Sequence, residues 1–162
     1  MIEAGTSAPD FSLPDQDGNP VSLGDFLDRK LMIAFYPLDF SPVCTGQLSL
    51  YQEVLPEIES KGATLVGISV DSSYSHRAFR EQLNLTIPLL ADFNPKGEVS
   101  RAYGAWIEPV DHGNRSLVLV DGGEVRWSYA APNPAEIPGA NLIFDALSDR
   151  QAAPPRSEGR SP

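Results

Sequence analysis

Leu31-Met32-Ile33-Ala34-Phe35-Tyr36-Pro37-Leu38-Asp39-Phe40-Ser41-Pro42-Val43-Cys44-Thr45 contains a strand, a loop and the start of a helix in fifteen residues. Leu31 to Tyr36 carries no charge and reads as a buried strand. Pro37 to Ser41 reads as a loop. Ser41 suits an N-cap and Pro42 suits the first helical position. Beyond them Leu48, Tyr51, Leu55 and Ile58 recur at three- and four-residue steps, which predicts one helix from about Pro42 to Ser60. Cys44, the only cysteine, therefore falls in the first turn of that helix. Unpaired backbone N–H groups and the positive end of the macrodipole gather there. A thiol so placed sheds its proton more readily, and the thiolate is the reactive form. A lone cysteine is more often a small buried hydrophobe; the strand–loop–helix context favours the reactive reading here.

Working outward, residues 8–23 read as short extended pieces about the turn Asp17-Gly18-Asn19-Pro20. Thr64 to Val70 reads as a second buried strand. Asp71-Ser72 offers a cap for a helix through Asn84, with Tyr74, Ala78, Phe79 and Leu83 along one side. A short strand from Pro88 to Ala91 and a short helix from Lys96 to Tyr103 follow. Ser116 to Val120 and Val125 to Ala130 flank the turn Asp121-Gly122-Gly123 as a hairpin. A last helix spans about Ala135 to Ser148, with Leu142, Ile143, Ala146 and Leu147 as its apolar face. Strands alternating with helices and ending in a hairpin predict an α/β domain with a central mixed β-sheet flanked by helices. Residues 1–149 form that domain, and residues 150–162, with three prolines and few apolar anchors, read as a disordered C-terminal tail.

The chain has 162 residues, 12 Lys and Arg against 22 Asp and Glu, and a net charge of −10. Such a surface repels phosphate backbones and anionic lipid, so neither nucleic acid nor membrane is an expected partner. One cysteine forbids an intrachain disulfide, and the opening residues lack the pattern of a signal peptide, so a reducing cytoplasm is the expected location. Two histidines and one cysteine without short ligand spacing predict no metal, and no phosphate-binding glycine loop predicts a cofactor. Serine stands at position 41, where a Cys-x-x-Cys redox motif needs its first thiol.

Pro37-x-x-x-Ser41-x-x-Cys44 resembles the active-site signature of the peroxiredoxins, Pro-x-x-x-(Thr/Ser)-x-x-Cys. Ala8-Pro9-Asp10-Phe11 resembles that family's opening, and Val70 to Phe79 resembles its second strand and helix. Arg115 sits where the family keeps its active-site arginine. The likeness is to the bacterioferritin-comigratory-protein and alkyl-hydroperoxide-reductase-like branch. It implies a thioredoxin-like fold and reduction of peroxides. It also implies that Cys44 attacks the peroxide O–O bond and that Ser41 hydrogen-bonds the sulfur and the substrate oxygen. Pro37 would shield the intermediate from water, and Arg115 would hold thiolate and peroxide. Where many relatives pair a glutamate to the arginine this chain has Gln47, which brings no negative charge and is read as a supporting residue. Ser49 occupies one place where some relatives carry a resolving cysteine. The resemblance thus implies a 1-Cys peroxidase whose sulfenic acid is reduced by an external thiol: a low-molecular-weight thiol, a thioredoxin or a glutaredoxin-like protein. Relatives also suggest a homodimer.

Energetics support the need for these groups. A free thiol titrates near 8.5, and bringing one to ~6 needs about 3.4 kcal/mol. A helix N-terminus supplies ~0.3–1 and at best ~2 kcal/mol. A fixed cation must supply the rest, and arginine stays protonated. Full ionisation gains only ~30-fold, whereas each preorganised donor to the leaving oxygen gains ~10²–10³-fold. Two other readings compete: a peroxide-sensing redox partner protein, and a noncatalytic thioredoxin-like scaffold with an inert Cys44. Asp39 reads as a loop acid, since a carboxylate beside the sulfur would oppose ionisation. His76 reads as surface or packing, and His112 as a loop residue near Arg115.

Overall fold

The computed structural model describes residues 1–148. The chain opens with a small antiparallel pair, β1 (Ser12–Pro14) and β2 (Pro20–Ser22). It continues through β3 (Lys30–Phe35), α1 (Pro42–Glu53), α2 (Leu55–Ser60), β4 (Ala63–Ser69), α3 (Ser73–Leu83), β5 (Leu89–Ala91) and α4 (Glu98–Ala102). A second small pair, β6 (Trp106–Ile107) and β7 (His112–Gly113), precedes β8 (Ser116–Asp121), β9 (Glu124–Ala130) and α5 (Ala140–Leu147). The tail assigned to residues 150–162 lies outside the described residues.

The main sheet runs β5-β4-β3-β8-β9. β3, β4 and β5 are parallel neighbours, whereas β8 pairs antiparallel with β3 and with β9. The sheet is therefore mixed, as the alternation of elements predicts. Parallel neighbours need crossovers, which α1–α2 and α3 provide. Gly122 and Gly123 both take positive φ (64° and 83°), as a two-residue hairpin loop between β8 and β9 requires.

Side chains alternate across the sheet. Met32 and Ala34, with Leu65, Leu89, Leu117 and Leu119, face one cluster that includes Cys44, Leu48 and Tyr51. Leu31, Ile33 and Phe35, with Val66, Ile68, Val118 and Val120, face a second cluster closed by Phe11, Val99 and Tyr103. The register also decides where the chemistry can lie. Phe35 pairs with Ser116. The loop leaving β3 and the residue entering β8 thus share one end of the sheet, which brings Arg115 to the cysteine loop.

Three helices differ from the sequence expectation. The helix expected over residues 42–60 breaks at Val54, whose φ and ψ of −100° and 6° end α1. Pro56 explains the break: it lacks an N–H and its ring would clash with the carbonyl four residues back. Leu48, Tyr51, Leu55 and Ile58 are nonetheless all buried. On α3 the buried positions are His76 and Phe79, while Tyr74 is 87% exposed. The buried face is therefore turned from the expected one. α5 starts at Ala140, not near Ala135. Pro138 disfavours helix at the residue before it, and residues 131–139 run as an irregular segment instead.

Candidate active site

Ser41 caps α1 with an extended backbone (φ −66°, ψ 147°) and Pro42 opens the helix. Thr45 N donates to Ser41 O at 2.9 Å, the first helical bond. Cys44 is then the third helical residue, and it is fully buried. The Ser41 hydroxyl donates to Leu38 O at 3.1 Å, so its hydrogen goes to the loop and not to the sulfur. Pro37, two residues past β3, is buried.

Arg115 is 5% exposed and reaches the site from the start of β8. Its Nη1 lies 2.9 Å from Cys44 Sγ and 2.9 Å from Gln47 Oε1. Its Nε donates to Pro134 O. Gln47 Nε2 donates to Tyr51 Oη at 3.3 Å, and Tyr51 Oη donates to Pro138 O at 2.7 Å. Burial pushes the Tyr51 phenol well up, so it stays a neutral donor. The spacing along α1 explains the set: Cys44, Gln47 and Tyr51 stand at three- and four-residue steps on one helix face. Sequence reading took Tyr51 only as core; its hydroxyl contact with a proline 87 residues away leaves no local signal.

No carboxylate pairs with Arg115 among the described residues. A buried cation held only by neutral oxygens is costly. The group beside it able to carry the opposite charge is the Cys44 sulfur. Gln47 fixes the guanidinium through its amide oxygen without competing as an anion. A cavity of about 190 Å³ adjoins Arg115, lined by Ile107, Asn114, Ala131, Pro132, Asn133 and Pro134.

A second polar cluster lies on the other side of the same loop. Asp39 and His76 side chains are both completely buried. His76 Nδ1 is 2.8 Å from Asp39 Oδ2, and its Nε2 is 3.1 Å from Leu90 O. Tyr36 Oη donates to Asp39 Oδ1 at 2.7 Å, and Ser75 Oγ donates to Asp39 Oδ2 at 2.8 Å. Asp71 accepts from the Asp39 backbone N–H at 2.8 Å and from Ser69 Oγ at 2.5 Å. Burial, and then the Asp39 charge, push the Asp71 carboxyl up. Asp39 is therefore a buried anchor and not a free loop acid, and His76 is not on the surface. Asp39, Asp71 and His76 place potential ligand atoms within 4.8 Å of one another, a grouping invisible to sequence spacing. Both His76 nitrogens are already engaged by the carboxylate and the carbonyl.

Comparison with known proteins shows which chains this one resembles. The AhpC/TSA family model matches residues 4–128. Alkyl hydroperoxide reductase E of Mycobacterium bovis is 36% identical over 149 residues, covering 91% of this chain and 97% of that protein. The crystal structure of Enterococcus faecalis AhpC superposes with a TM-score of 0.86 at 24% identity over the full length of both chains, a likeness of fold. That of peroxidoxin BcpB from Mycobacterium tuberculosis gives 0.74 at 25% identity, over 94% of this chain and 95% of that one. No helix among the described residues is long and apolar enough to cross a membrane. The thioredoxin-like sheet, the family match across most of the chain and these relatives together make it a peroxiredoxin of the AhpC/TSA family, in the branch of the alkyl hydroperoxide reductases and Bcp proteins, and hence a thiol-dependent peroxidase.

Proposed function

We propose that the chain reduces hydrogen peroxide and organic hydroperoxides through Cys44 alone, in a 1-Cys cycle completed by an external thiol. The observation that carries this reading is the 2.9 Å contact between Arg115 Nη1 and Cys44 Sγ, in a site where the guanidinium has no carboxylate. Arg115 holds the sulfur as an anion. In the reaction the thiolate attacks one peroxide oxygen. The S–O bond forms as the O–O bond breaks, and the electron pair leaves with the second oxygen. That oxygen takes up the proton the thiol shed and departs as water or an alcohol. Sulfur is oxidised to the sulfenic acid and the peroxide is reduced.

Arg115 is also a donor for the leaving oxygen, where transition-state charge collects, together with N–H groups of the first α1 turn. Gln47 fixes the guanidinium. Ser41 shapes the turn through its bond to Leu38 O, and its oxygen remains an acceptor. Pro37 keeps water from the sulfur side of the loop. Cys44 is fully buried, so peroxide reaches it only when its surroundings part.

The chain has no second cysteine. The sulfenic acid is therefore resolved by an outside thiol, which displaces water to form a mixed disulfide. A second thiol then releases the disulfide and restores Cys44. A low-molecular-weight thiol, a thioredoxin or a glutaredoxin-like protein in the cytoplasm would serve, and a homodimer is the working form. Without reductant, further peroxide drives Cys44 to the sulfinic acid.

Peroxide consumption with glutathione or thioredoxin supplied, followed by mass spectrometry of the adducts, tests the cycle. The expected result is sulfenic acid on Cys44 from one equivalent of peroxide without thiol, sustained turnover with thiol, and a single mixed disulfide on Cys44. Peroxide consumption no faster than that of a free thiol contradicts the reading.

A further inference from the structure

Asp39 lies between Pro37 and Ser41, in the loop that delivers Cys44 to its helix, and its surroundings are unusual for a loop residue. Its carboxyl group accepts from Tyr36 Oη and Ser75 Oγ at 2.7 and 2.8 Å and lies 2.8 Å from His76 Nδ1. Its backbone N–H donates to Asp71, just past the end of β4. The next residue, Phe40, has a φ of 69°, the left-handed region that costs a non-glycine residue about 1–2 kcal/mol. Such a conformation persists when its surroundings over-determine it. Phe40 is 45% exposed and touches Phe79 with ring centroids 5.1 Å apart. Packing there is partial, and the Asp39 bonds hold the residue before it.

The His76 partners fix its form. Leu90 O can only accept, so Nε2 carries a proton. Asp39 Oδ2 already accepts from Ser75, and Oδ1 accepts from Tyr36. Two hydroxyl donors on the Asp39 oxygens favour the carboxylate over the acid, and a carboxylate requires Nδ1 to donate as well. Burial and then the Asp39 charge raise the Tyr36 phenol, which remains a donor.

We propose, resting on the peroxidase reading above, that His76 is a buried imidazolium paired with Asp39, and that this pair positions the cysteine loop for peroxide attack. His76 and Asp39 are positioning residues: neither is hydrogen-bonded to the Cys44 sulfur, whose partner is Arg115. The pair ties the loop to α3 and to the β5 carbonyl. It holds Phe40 in its strained turn, and through Ser41 it sets where the first turn of α1 begins. Loosening it lets Phe40 relax toward negative φ and moves the α1 start relative to Arg115, which is anchored separately on β8 and Pro134.

The test compares stopped-flow oxidation of Cys44 by hydrogen peroxide in wild type, His76→Gln, Asp39→Asn and the double variant. A fifth protein, Val125→Ala, is destabilised on the opposite sheet face. Each single variant is expected to oxidise at least ten-fold more slowly than wild type, and the double variant no more slowly than the slower single. Val125→Ala is expected to keep the wild-type rate after losing a comparable Tm. Wild-type rates in both single variants, or rate losses that only track Tm across all five proteins, overturn the proposal. Nitrogen-15 NMR of the wild-type His76 ring at neutral pH is a second test that needs no variant to fold and no peroxidase activity. Two protonated ring nitrogens are expected; one unprotonated nitrogen overturns it. A wild-type protein that does not react with peroxide defeats the peroxidase reading instead, and the NMR result then still judges the ion pair.

Discussion

The two faces of the central sheet are made by the same strands yet differ in kind. Met32 and Ala34 of β3 point to the face covered by α1, α2, α3 and α5, as does Tyr36 just beyond the strand, while Leu31, Ile33 and Phe35 point to the other. The first face mixes apolar packing with buried polar groups: Cys44, Gln47, Tyr51 and, at its edge, Arg115. The second is apolar along its strands; its buried phenol, Tyr103, donates to Pro9 O at 2.7 Å, and the buried Asp92 carboxylate is tied to Val99 N, Ser100 N and Ser100 Oγ of α4. The period-two alternation of the strands thus separates a mainly apolar face from the face that holds the proposed site. Core substitutions on the two faces should therefore fail in different ways.

The largest effect belongs to the polar face. Arg115→Ala removes the sulfur's cation and a donor to the leaving oxygen, and should slow Cys44 oxidation by ~10²–10³-fold in stopped-flow measurements. Arg115→Lys keeps charge without the fork that reaches Sγ, Gln47 and Pro134 together, so it should recover only part of the loss. A rate equal to wild type in Arg115→Ala would erase the distinction between the faces.

Tyr51→Phe tests the outer end of the same hydrogen-bond chain. It deletes one hydroxyl and leaves Pro138 O and Gln47 short of a partner. A stability loss of about 1–1.5 kcal/mol by denaturant titration is expected, with a smaller rate loss than Arg115→Ala. On the dry face, Ile33→Val should cost about 0.5–1.5 kcal/mol of stability and leave the peroxide rate unchanged. A rate loss there matching that of Tyr51→Phe would show that the faces are not separable.

The smallest effect concerns acid. The Asp71 carboxyl is raised in the fold by burial and by Asp39. A carboxyl raised on folding holds its proton more tightly in the native state. Its contribution is therefore present below the unfolded value, near 3.9, and is lost as pH rises through the raised one. In Asp71→Asn the unfolding free energy relative to wild type should thus improve as pH goes from about 4 toward neutrality. A flat difference across that range would contradict the burial argument.

Local signals carried much of this molecule. An uncharged six-residue run, Ser41 before Pro42, and apolar residues at helical steps located β3, α1 and the cysteine in its first turn. Glycines at 122 and 123 located the last hairpin. What stayed hidden depends on contacts between distant residues. Arg115 is 71 positions from Cys44, and only the pairing of Phe35 with Ser116 brings it near; the sequence offered its place through family resemblance alone. His76 was read as a surface or packing group because histidine is usually placed by polarity. Yet His76, Phe79 and Leu83 stand at three- and four-residue steps, and admitting a buried histidine would have turned the α3 face correctly. The helix expected from about Ala135 overlaps the end of the irregular run over residues 131–139, where Pro138 argues against helix. That run supplies the Pro134 and Pro138 carbonyls that hold Arg115 and Tyr51.

In the proposed chemistry a buried guanidinium keeps one sulfur anionic and ready for peroxide. The second-order rate constant for sulfenic acid formation on Cys44, followed by rapid mixing with hydrogen peroxide and assigned by mass, measures it most directly. The account predicts a constant several orders of magnitude above that of free cysteine, lost in Cys44→Ser and lowered at least ~100-fold in Arg115→Ala. A wild-type constant no greater than that of free cysteine would contradict it.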